Sequence, residues 1–374
     1  MKKLLLLKPA GWALGIIFCL LVSPPQLPAA LLSPLAEKPD WSTLAGYGGS
    51  ITAPELERLL QKVYVPDGSW RQWIVITPSQ AVITPHPGAL PSFLPLALTE
   101  NGAKMPPRYW KNRAERSPLP GKPLNGLRIA IDPGHLGGDF AQMEARWFRI
   151  GKSRPVEEGE MTLIVAKLLK SRLESMGADV WLTRTKNGAT TSLRPSKLKT
   201  AAMGSLQEEG VPPTQKRLES EAERLFYRVG EIRNRARLVN RVIRPDLVVC
   251  LHFNAEEWGD SRHPVLTDKN HLHLLLSGAM SGAELLHEDE RYTMLLKLLG
   301  GTHAGELGAS EYVSRSLATA TGLPPFTYHG SNALAASSNP YLWVRNLMAN
   351  RLYECPVVYC EPYVMNSRPV FNRV

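Results

Sequence analysis

The sequence predicts an α/β fold, a three-layer sandwich with a twisted, largely parallel or mixed central sheet, plus a small N-terminal accessory region. Short apolar runs alternate with helix-like segments from residue 125 onward, as in sheets covered by helices. Before that point the chain is rich in proline and lacks this alternation, which indicates a separate organisation. We therefore expect a small α+β accessory domain at 31–105, a Pro-rich linker at 106–124 and a main domain at 125–374.

The strand predictions depend on short apolar runs. Residues 247–251 are continuously apolar, which is typical of a central strand buried on both faces. The other runs predicted as strands of the main domain are 127–131, 179–183, 271–276, 341–344 and 356–359.

A helix over 160–176 follows from spacing, because its apolar residues recur on one face at the helical period. Gly177 follows at the position where helices commonly end. Strand, helix and strand within 127–183 predict a βαβ unit. A polar, helix-prone insertion covers 187–231, and further helices are expected at 231–243, 283–299 and 310–321.

Residues 1–30 have the features of a secretory signal peptide. Lys2 and Lys3 precede an apolar stretch at 11–22, and small residues follow at Ala29 and Ala30. The apolar stretch is too short to span a membrane as a helix, although an uncleaved anchor is the alternative. We expect an exported protein of the periplasm or cell envelope.

The net charge restricts the classes of molecule that the protein could bind. The formal charge of +10 favours anionic surfaces such as cell wall. Export and the lack of a compact basic-aromatic stripe argue against nucleic acid as a partner.

Three cysteines remain after processing. Cys355 and Cys360 would lie roughly 16 Å apart on one strand, so buried thiols are expected rather than a disulfide framework.

Chemically reactive side chains follow the ends of predicted strands. His135 follows the turn Asp132-Pro133-Gly134, His252 follows 247–251, and Glu361 ends the last strand. Ligands in such sheets bind beyond the carboxyl ends of strands, and Glu158, before the 160–176 helix, faces the same edge.

Two histidines and a carboxylate are the usual protein ligands of a catalytic zinc, which leaves a fourth position for water. A further carboxylate could act as general base. Each residue also has a simpler interpretation. A histidine after a strand is often only hydrogen-bonded, and Glu158 could interact with the helix dipole, while Glu157 and Glu160 are competing carboxylates.

Five sequence blocks occur in an order that resembles the zinc-dependent N-acetylmuramoyl-L-alanine amidases, which cut peptidoglycan. The similarity covers about residues 125–370. The blocks are Ile131-Asp-Pro-Gly-His135, Glu158 followed by Leu163 and Ala166, Val180-Trp-Leu-Thr-Arg184, Asn240 before 247–254, and Pro356-Val-Val-Tyr-Cys-Glu-Pro-Tyr-Val-Met-Asn366.

The resemblance implies Zn²⁺ ligands at His135, Glu158 and His252, and a catalytic carboxylate at Glu361. The substrate would be peptidoglycan or muropeptides, cut at the amide between N-acetylmuramic acid and L-alanine. A protein activator is an open question. Asn254, Asn366 and Arg345 also match family positions and have open roles. Departures from the family pattern include Leu136 and Cys250.

Two alternatives remain open from the sequence. One is an exported zinc peptidase of the same fold that acts on another peptide or muropeptide. The other is a non-catalytic cell-wall-binding protein, against which the retained Glu361 argues.

His271 and His273 share one strand face. We expect this face to be simply polar or to line the cleft, with a metal site as the less favoured alternative. Occlusion of the site by the 187–231 insertion is a hypothesis based on its location.

Overall fold

The computed structural model describes residues 31–86, 93–100, 104–116 and 120–374, so the predicted signal peptide lies outside the described residues. Its strands are β1 Ile74–Ile76, β2 Gln80–Ile83, β3 Leu94–Ala97, β4 Arg128–Pro133, β5 Trp147–Phe148, β6 Val156–Glu157, β7 Asp179–Leu182, β8 Leu247–Leu251, β9 Leu272–Ser277, β10 Leu334–Ala335, β11 Leu342–Arg345 and β12 Val357–Pro362. Its α-helices are α1 Ala53–Leu59, α2 Glu158–Ser175, α3 Lys199–Glu208, α4 Gln215–Arg224, α5 Glu231–Arg237, α6 Glu288–Gly300, α7 Thr302–Thr321, α8 Met348–Leu352 and α9 Arg368–Phe371.

A seven-stranded mixed sheet forms the centre, in the order β10-β11-β9-β12-β8-β4-β7. Strands β12, β8, β4 and β7 are parallel to one another. Strand β9 pairs with β12 in the antiparallel direction. The carboxyl ends of the four parallel strands therefore share one edge of the sheet with the amino end of β9.

Helices cover both faces of this sheet. Alternate residues of β4 point to opposite faces, as expected for a strand. Ile129 and Ile131 pack with Ala166 of α2, whereas Ala130 packs with Ala236 of α5 on the other face. The predicted three-layer α/β sandwich with a mixed sheet is confirmed.

The N-terminal region packs directly on the main sheet. Its buried side chains, including Leu56, Leu60 and Tyr64, form one hydrophobic cluster with Leu272 and Leu274 of β9. The backbone N–H groups of Ala279 and Met280 donate to the carbonyls of Val63 and Tyr64, at 2.7 Å each. The described part of this region thus shares the core of the main sheet, while the boundary at residue 105 stays a prediction.

The predicted linker also contains a packed residue. Trp110 is buried among side chains of the α5 and α8 layer, and its indole N–H donates to the Glu354 carbonyl at 3.0 Å. This part of 106–124 therefore lies against the main domain.

The prediction of buried thiols is confirmed, since Cys250, Cys355 and Cys360 are all buried free thiols.

Only part of the apolar stripe of helix α2 faces the core: Met161 is buried, and Leu169 and Leu173 pack against buried side chains of the sheet, whereas other members of the stripe are exposed. Ile164 is 49% exposed and Leu168 is 69% exposed, while Glu158 and Thr162 are fully buried. The reason is that Thr162 Oγ1 donates to the Gly134 carbonyl at 2.7 Å, which turns the polar start of the helix toward the His135 turn.

None of the helices in the described part of the chain is long and apolar enough to cross a membrane.

The shared core predicts how the chain unfolds. Leu60 is fully buried in the common cluster, so Leu60→Ala should lower the free energy of unfolding by about 2–5 kcal/mol. Urea denaturation followed by tryptophan fluorescence and circular dichroism should show one shifted transition. Val75→Ala is the matched control because Val75 is 61% exposed. Two separate transitions would contradict the shared core.

Candidate metal centre and active site

The turn after β4 brings the first histidine into position. Gly134 N–H donates to the Leu251 carbonyl at 2.9 Å, which places the turn against the end of β8. His135 adopts φ of +59°, a backbone conformation that costs a non-glycine residue about 1–3 kcal/mol and is concentrated at functional sites. A Cβ at Gly134 would lie 2.2 Å from Cε1 of His252, so only glycine allows this approach.

Two buried arginines hold the carbonyls of this turn. Arg184 donates to the Pro133 and Gly134 carbonyls at 3.0 Å each. Arg235 donates to the Pro133 and His135 carbonyls at 2.9 Å each. A guanidinium offers five N–H donors in a fixed geometry, so the turn is held from both sides.

Asp132 links this turn to the neighbouring elements. Its carboxylate accepts from Thr183 Oγ1 at 2.5 Å, from the Tyr353 hydroxyl at 2.6 Å and from Arg235 at 3.0 Å. Burial alone would raise its pKa, but Arg235 and these hydroxyls hold the pKa of this carboxyl below its usual value. Asp132 is therefore a charged buried support for the turn.

Glu158 begins helix α2, and its carboxylate is buried beside both histidines. Oε2 lies 3.3 Å from His135 Nε2, and Oε1 lies 3.3 Å from His252 Nδ1. Burial would raise the pKa of Glu158, yet His135, Arg146 and His252 hold it at about 2. The carboxylate is therefore an anion that faces two imidazole nitrogens.

This arrangement fits a metal ion. One donor atom from each of His135, Glu158 and His252 lies within 4.8 Å of the other two. Zinc with tetrahedral bonds of about 2.0–2.2 Å requires ligand atoms about 3.4 Å apart. Oε2 of Glu158 is buried without a hydrogen-bond partner, which is costly unless a cation or another group satisfies it. The structure thus brings together the three residues predicted as metal ligands.

Each histidine has a support on the side away from this cluster. His135 Nδ1 lies 3.4 Å from Glu144 Oε1, and Glu144 Oε2 accepts from the Leu136 N–H at 2.9 Å. The ring of His252 stacks on Tyr359 at 4.6 Å between centroids. Carboxylate partners behind metal-binding histidines fix the ring orientation. Sequence reasoning missed Glu144, although it lies in the charged loop after His135.

Glu361 lies near the carboxyl end of β12 at the same edge of the sheet. Burial would raise its pKa, but His273 and His252 hold the pKa of this carboxyl below its usual value. Its Oε2 lies 3.2 Å from His273 Nε2, because Glu361 and His273 are directly paired across β12 and β9. His273 is therefore a residue of the site, in agreement with the expectation that its strand face could line the cleft.

The competing carboxylates have other partners. Glu157 Oε2 accepts from the Gly138 N–H at 2.7 Å, and Glu160 pairs with Arg154 at 2.5 Å.

Asn254 and Asn366 form hydrogen bonds that hold neighbouring loops. Met365 N–H donates to the Asn254 carbonyl at 2.8 Å, and Glu256 N–H donates to Asn366 Oδ1 at 3.0 Å.

The 187–231 insertion packs beside the loop that follows His135. Phe226 contacts Phe140 with ring centroids 5.3 Å apart, and both belong to a cluster that includes Leu136. The insertion therefore supports the His135 loop. Its proposed occlusion of the site stays a prediction.

Comparison with known proteins identifies a related family. Residues 129–264 match the family model described as N-acetylmuramoyl-L-alanine amidase. This range contains His135, Glu158 and His252, and it ends before Glu361. No curated protein sequence matches the chain significantly.

Solved structures of amidases are also similar to the chain. The apo form of the N-acetylmuramyl-L-alanine amidase Ami1 from Mycobacterium abscessus is 17% identical over 66% of this chain and 88% of that chain, with a TM-score of 0.32. The CwlD amidase from Clostridioides difficile, in complex with the GerS lipoprotein, is 14% identical over 65% and 85%, with a TM-score of 0.33. The amidase AmiC2 of Nostoc punctiforme is 14% identical over 67% and 86%, with a TM-score of 0.33.

The close approach of Gly134 to His252 predicts a metal-binding defect. Gly134→Ala should displace the His252 ring and weaken Zn²⁺ binding by about 10- to 100-fold, the loss typical when ligand orientation is disturbed. Competition with a chromophoric chelator measures this affinity. Gly204→Ala is the matched control, because nothing lies within 4 Å of its Cβ position. Equal affinity in the two variants would show that the His252 position does not matter for the metal.

Proposed function

Because residues 129–264 match the family model described as N-acetylmuramoyl-L-alanine amidase, we propose that the chain is a zinc-dependent peptidoglycan amidase. It cleaves the amide between the lactyl group of N-acetylmuramic acid and the first L-alanine of the stem peptide. The observation that carries the proposal is the convergence of His135, Glu158 and His252 within 4.8 Å, with Glu361 on the same sheet edge.

His135 through Nε2, His252 through Nδ1 and one oxygen of Glu158 would hold the zinc. The ion, when bound, supplies Lewis acidity and lowers the pKa of water. Its three protein ligands would leave one coordination position free. Glu144 and the stacked Tyr359 ring keep the two imidazoles oriented, so the donor atoms are in place before the ion arrives.

Glu361 would act as the general base. Its pKa is held below the usual value, so the carboxylate is deprotonated and can accept a proton from the attacking water. The water oxygen forms a bond to the amide carbonyl carbon, and the carbon–nitrogen bond breaks. Glu361 gives the proton to the nitrogen as this bond breaks, which releases the amino group of L-alanine and restores the carboxylate.

The substrate places the activity at the cell wall. We propose export through the signal peptide at 1–30 and action in the periplasm or cell envelope, on peptidoglycan or on muropeptides. Removal of residues 1–30 takes away Lys2, Lys3 and Lys8 and leaves a formal charge of +7, which favours binding to anionic wall material.

Digestion of cell wall tests the bond that is cut. Purified peptidoglycan should release free stem peptides that begin with L-alanine, seen by mass spectrometry with N-terminal dansylation. A zinc chelator should stop the release, and added Zn²⁺ should restore it. Products cut within the stem peptide would instead identify a peptidase, and no products in any condition would favour a wall-binding protein.

Replacement of the proposed base tests its role. Glu361→Ala should lower kcat by about 10²- to 10⁴-fold, the usual contribution of general-base catalysis, and should keep one zinc per chain by elemental analysis. Glu160→Gln is the matched control, because Glu160 pairs with Arg154 in the same region and should keep normal turnover. Full turnover in Glu361→Ala would remove the catalytic assignment.

A further inference from the structure

His273 lies behind Glu361 in the interior of the site. Its side chain is fully buried, and its Nε2 lies 3.2 Å from Glu361 Oε2. The same Nε2 lies 3.1 Å from the hydroxyl of Tyr328. Two polar groups from different elements therefore converge on one ring nitrogen.

The other nitrogen of this ring has no such partner. His273 Nδ1 is buried without a hydrogen-bond partner, and the ring packs 4.9 Å from Phe326. Most buried polar atoms are hydrogen-bonded, and an exception calls for a reason such as a catalytic role. The only hydrogen that this ring can usefully donate is the one on Nε2.

Tyr328 connects this ring to a cation. Arg345 NH1 donates to the Tyr328 hydroxyl at 3.4 Å, and its guanidinium lies 5.5 Å from the centre of the tyrosine ring. Arg345 is the family-matched arginine whose role the sequence left open. The three side chains come from β9, from the loop before β10 and from β11, so their contact is a tertiary arrangement.

We propose that His273 is a positioning residue for Glu361, with Tyr328 and Arg345 as its support. The Nε2–H group of His273 donates to Oε2 of Glu361 and fixes the carboxylate, which leaves Oε1 to accept the proton of the attacking water. The Tyr328 hydroxyl oxygen, which accepts from Arg345, lies 3.1 Å from the same nitrogen and faces the Nε2–H group as a second acceptor, so both neighbours favour the hydrogen on Nε2. This inference rests on the proposed base role of Glu361.

His271 provides a matched control on the same strand face. Its ring lies 6.2 Å from that of His273 and 4.6 Å from that of Phe326. Its charged neighbour is Glu256, at 3.7 Å from Nε2. Loss of this imidazole would test general packing in the aromatic layer while leaving the His273–Glu361 contact in place.

Kinetics of four variants test the proposal on a soluble muropeptide. His273→Leu should lower kcat by about 10- to 100-fold, with KM within twofold and one zinc per chain retained. His273→Gln should recover most of the loss, because the glutamine amide N–H group can replace Nε2–H. Tyr328→Phe should lower kcat about fivefold, as expected for one neutral hydrogen bond, and His271→Leu should stay within twofold of the wild type.

A spectroscopic measurement tests the same contact without turnover. In ¹⁵N-histidine NMR of the intact protein, His273, assigned by comparison with His273→Gln, should carry its hydrogen on Nε2. Glu361→Gln should shift that Nε2 resonance. A hydrogen on Nδ1, or no shift in Glu361→Gln, would overturn the positioning role.

The outcomes separate the two proposals. Normal kcat in His273→Leu, equal losses in His273→Leu and His271→Leu, or no recovery in His273→Gln would refute the positioning role alone. A wild-type protein that does not cleave the amide would refute the proposed function, and the NMR result would then still decide whether His273 donates to Glu361.

Discussion

The site depends on two buried guanidinium groups that bind backbone carbonyls of one turn. Arg184 and Arg235 are 3% and 4% exposed, and together they satisfy the carbonyls of Pro133, Gly134 and His135. A buried charge is costly unless it is paired and hydrogen-bonded. Asp132 and Glu231 supply the opposite charges for Arg235, at 3.0 and 2.8 Å. This network holds His135 in its left-handed conformation while Gly134 admits the second histidine.

Strand direction determines which groups meet. Strands β4, β8 and β12 are parallel neighbours, so the groups at their carboxyl ends, His135, His252 and Glu361, collect at one edge. Strand β9 runs the opposite way beside β12, so its first residues reach the same edge. Of the residues with proposed roles, His135, His252 and Glu361 thus follow or end parallel strands, Glu158 begins helix α2, and the antiparallel strand places His273 next to Glu361.

Much of this could be predicted from the sequence, because apolar runs define buried strands and reactive residues follow them directly. The predicted strand at 247–251 coincides with β8, and His135, Glu158 and His252 do converge. The contact between His273 and Glu361 could not be predicted, since it requires the antiparallel pairing of β9 with β12. The exposure of Leu168 could not be predicted from the spacing of apolar residues either. The hydrogen bond from Thr162 to the Gly134 carbonyl turns the polar start of α2 inward.

Zinc K-edge X-ray absorption on the protein as purified tests the central claim most directly, that distant strand ends form one metal centre. We expect one zinc per chain in four-fold coordination, with two imidazole rings and oxygen ligands at about 2.0–2.2 Å. The imidazole signal should be lost in part in His135→Ala. Scattering from sulfur at about 2.3 Å, or a spectrum with no imidazole contribution, would contradict it.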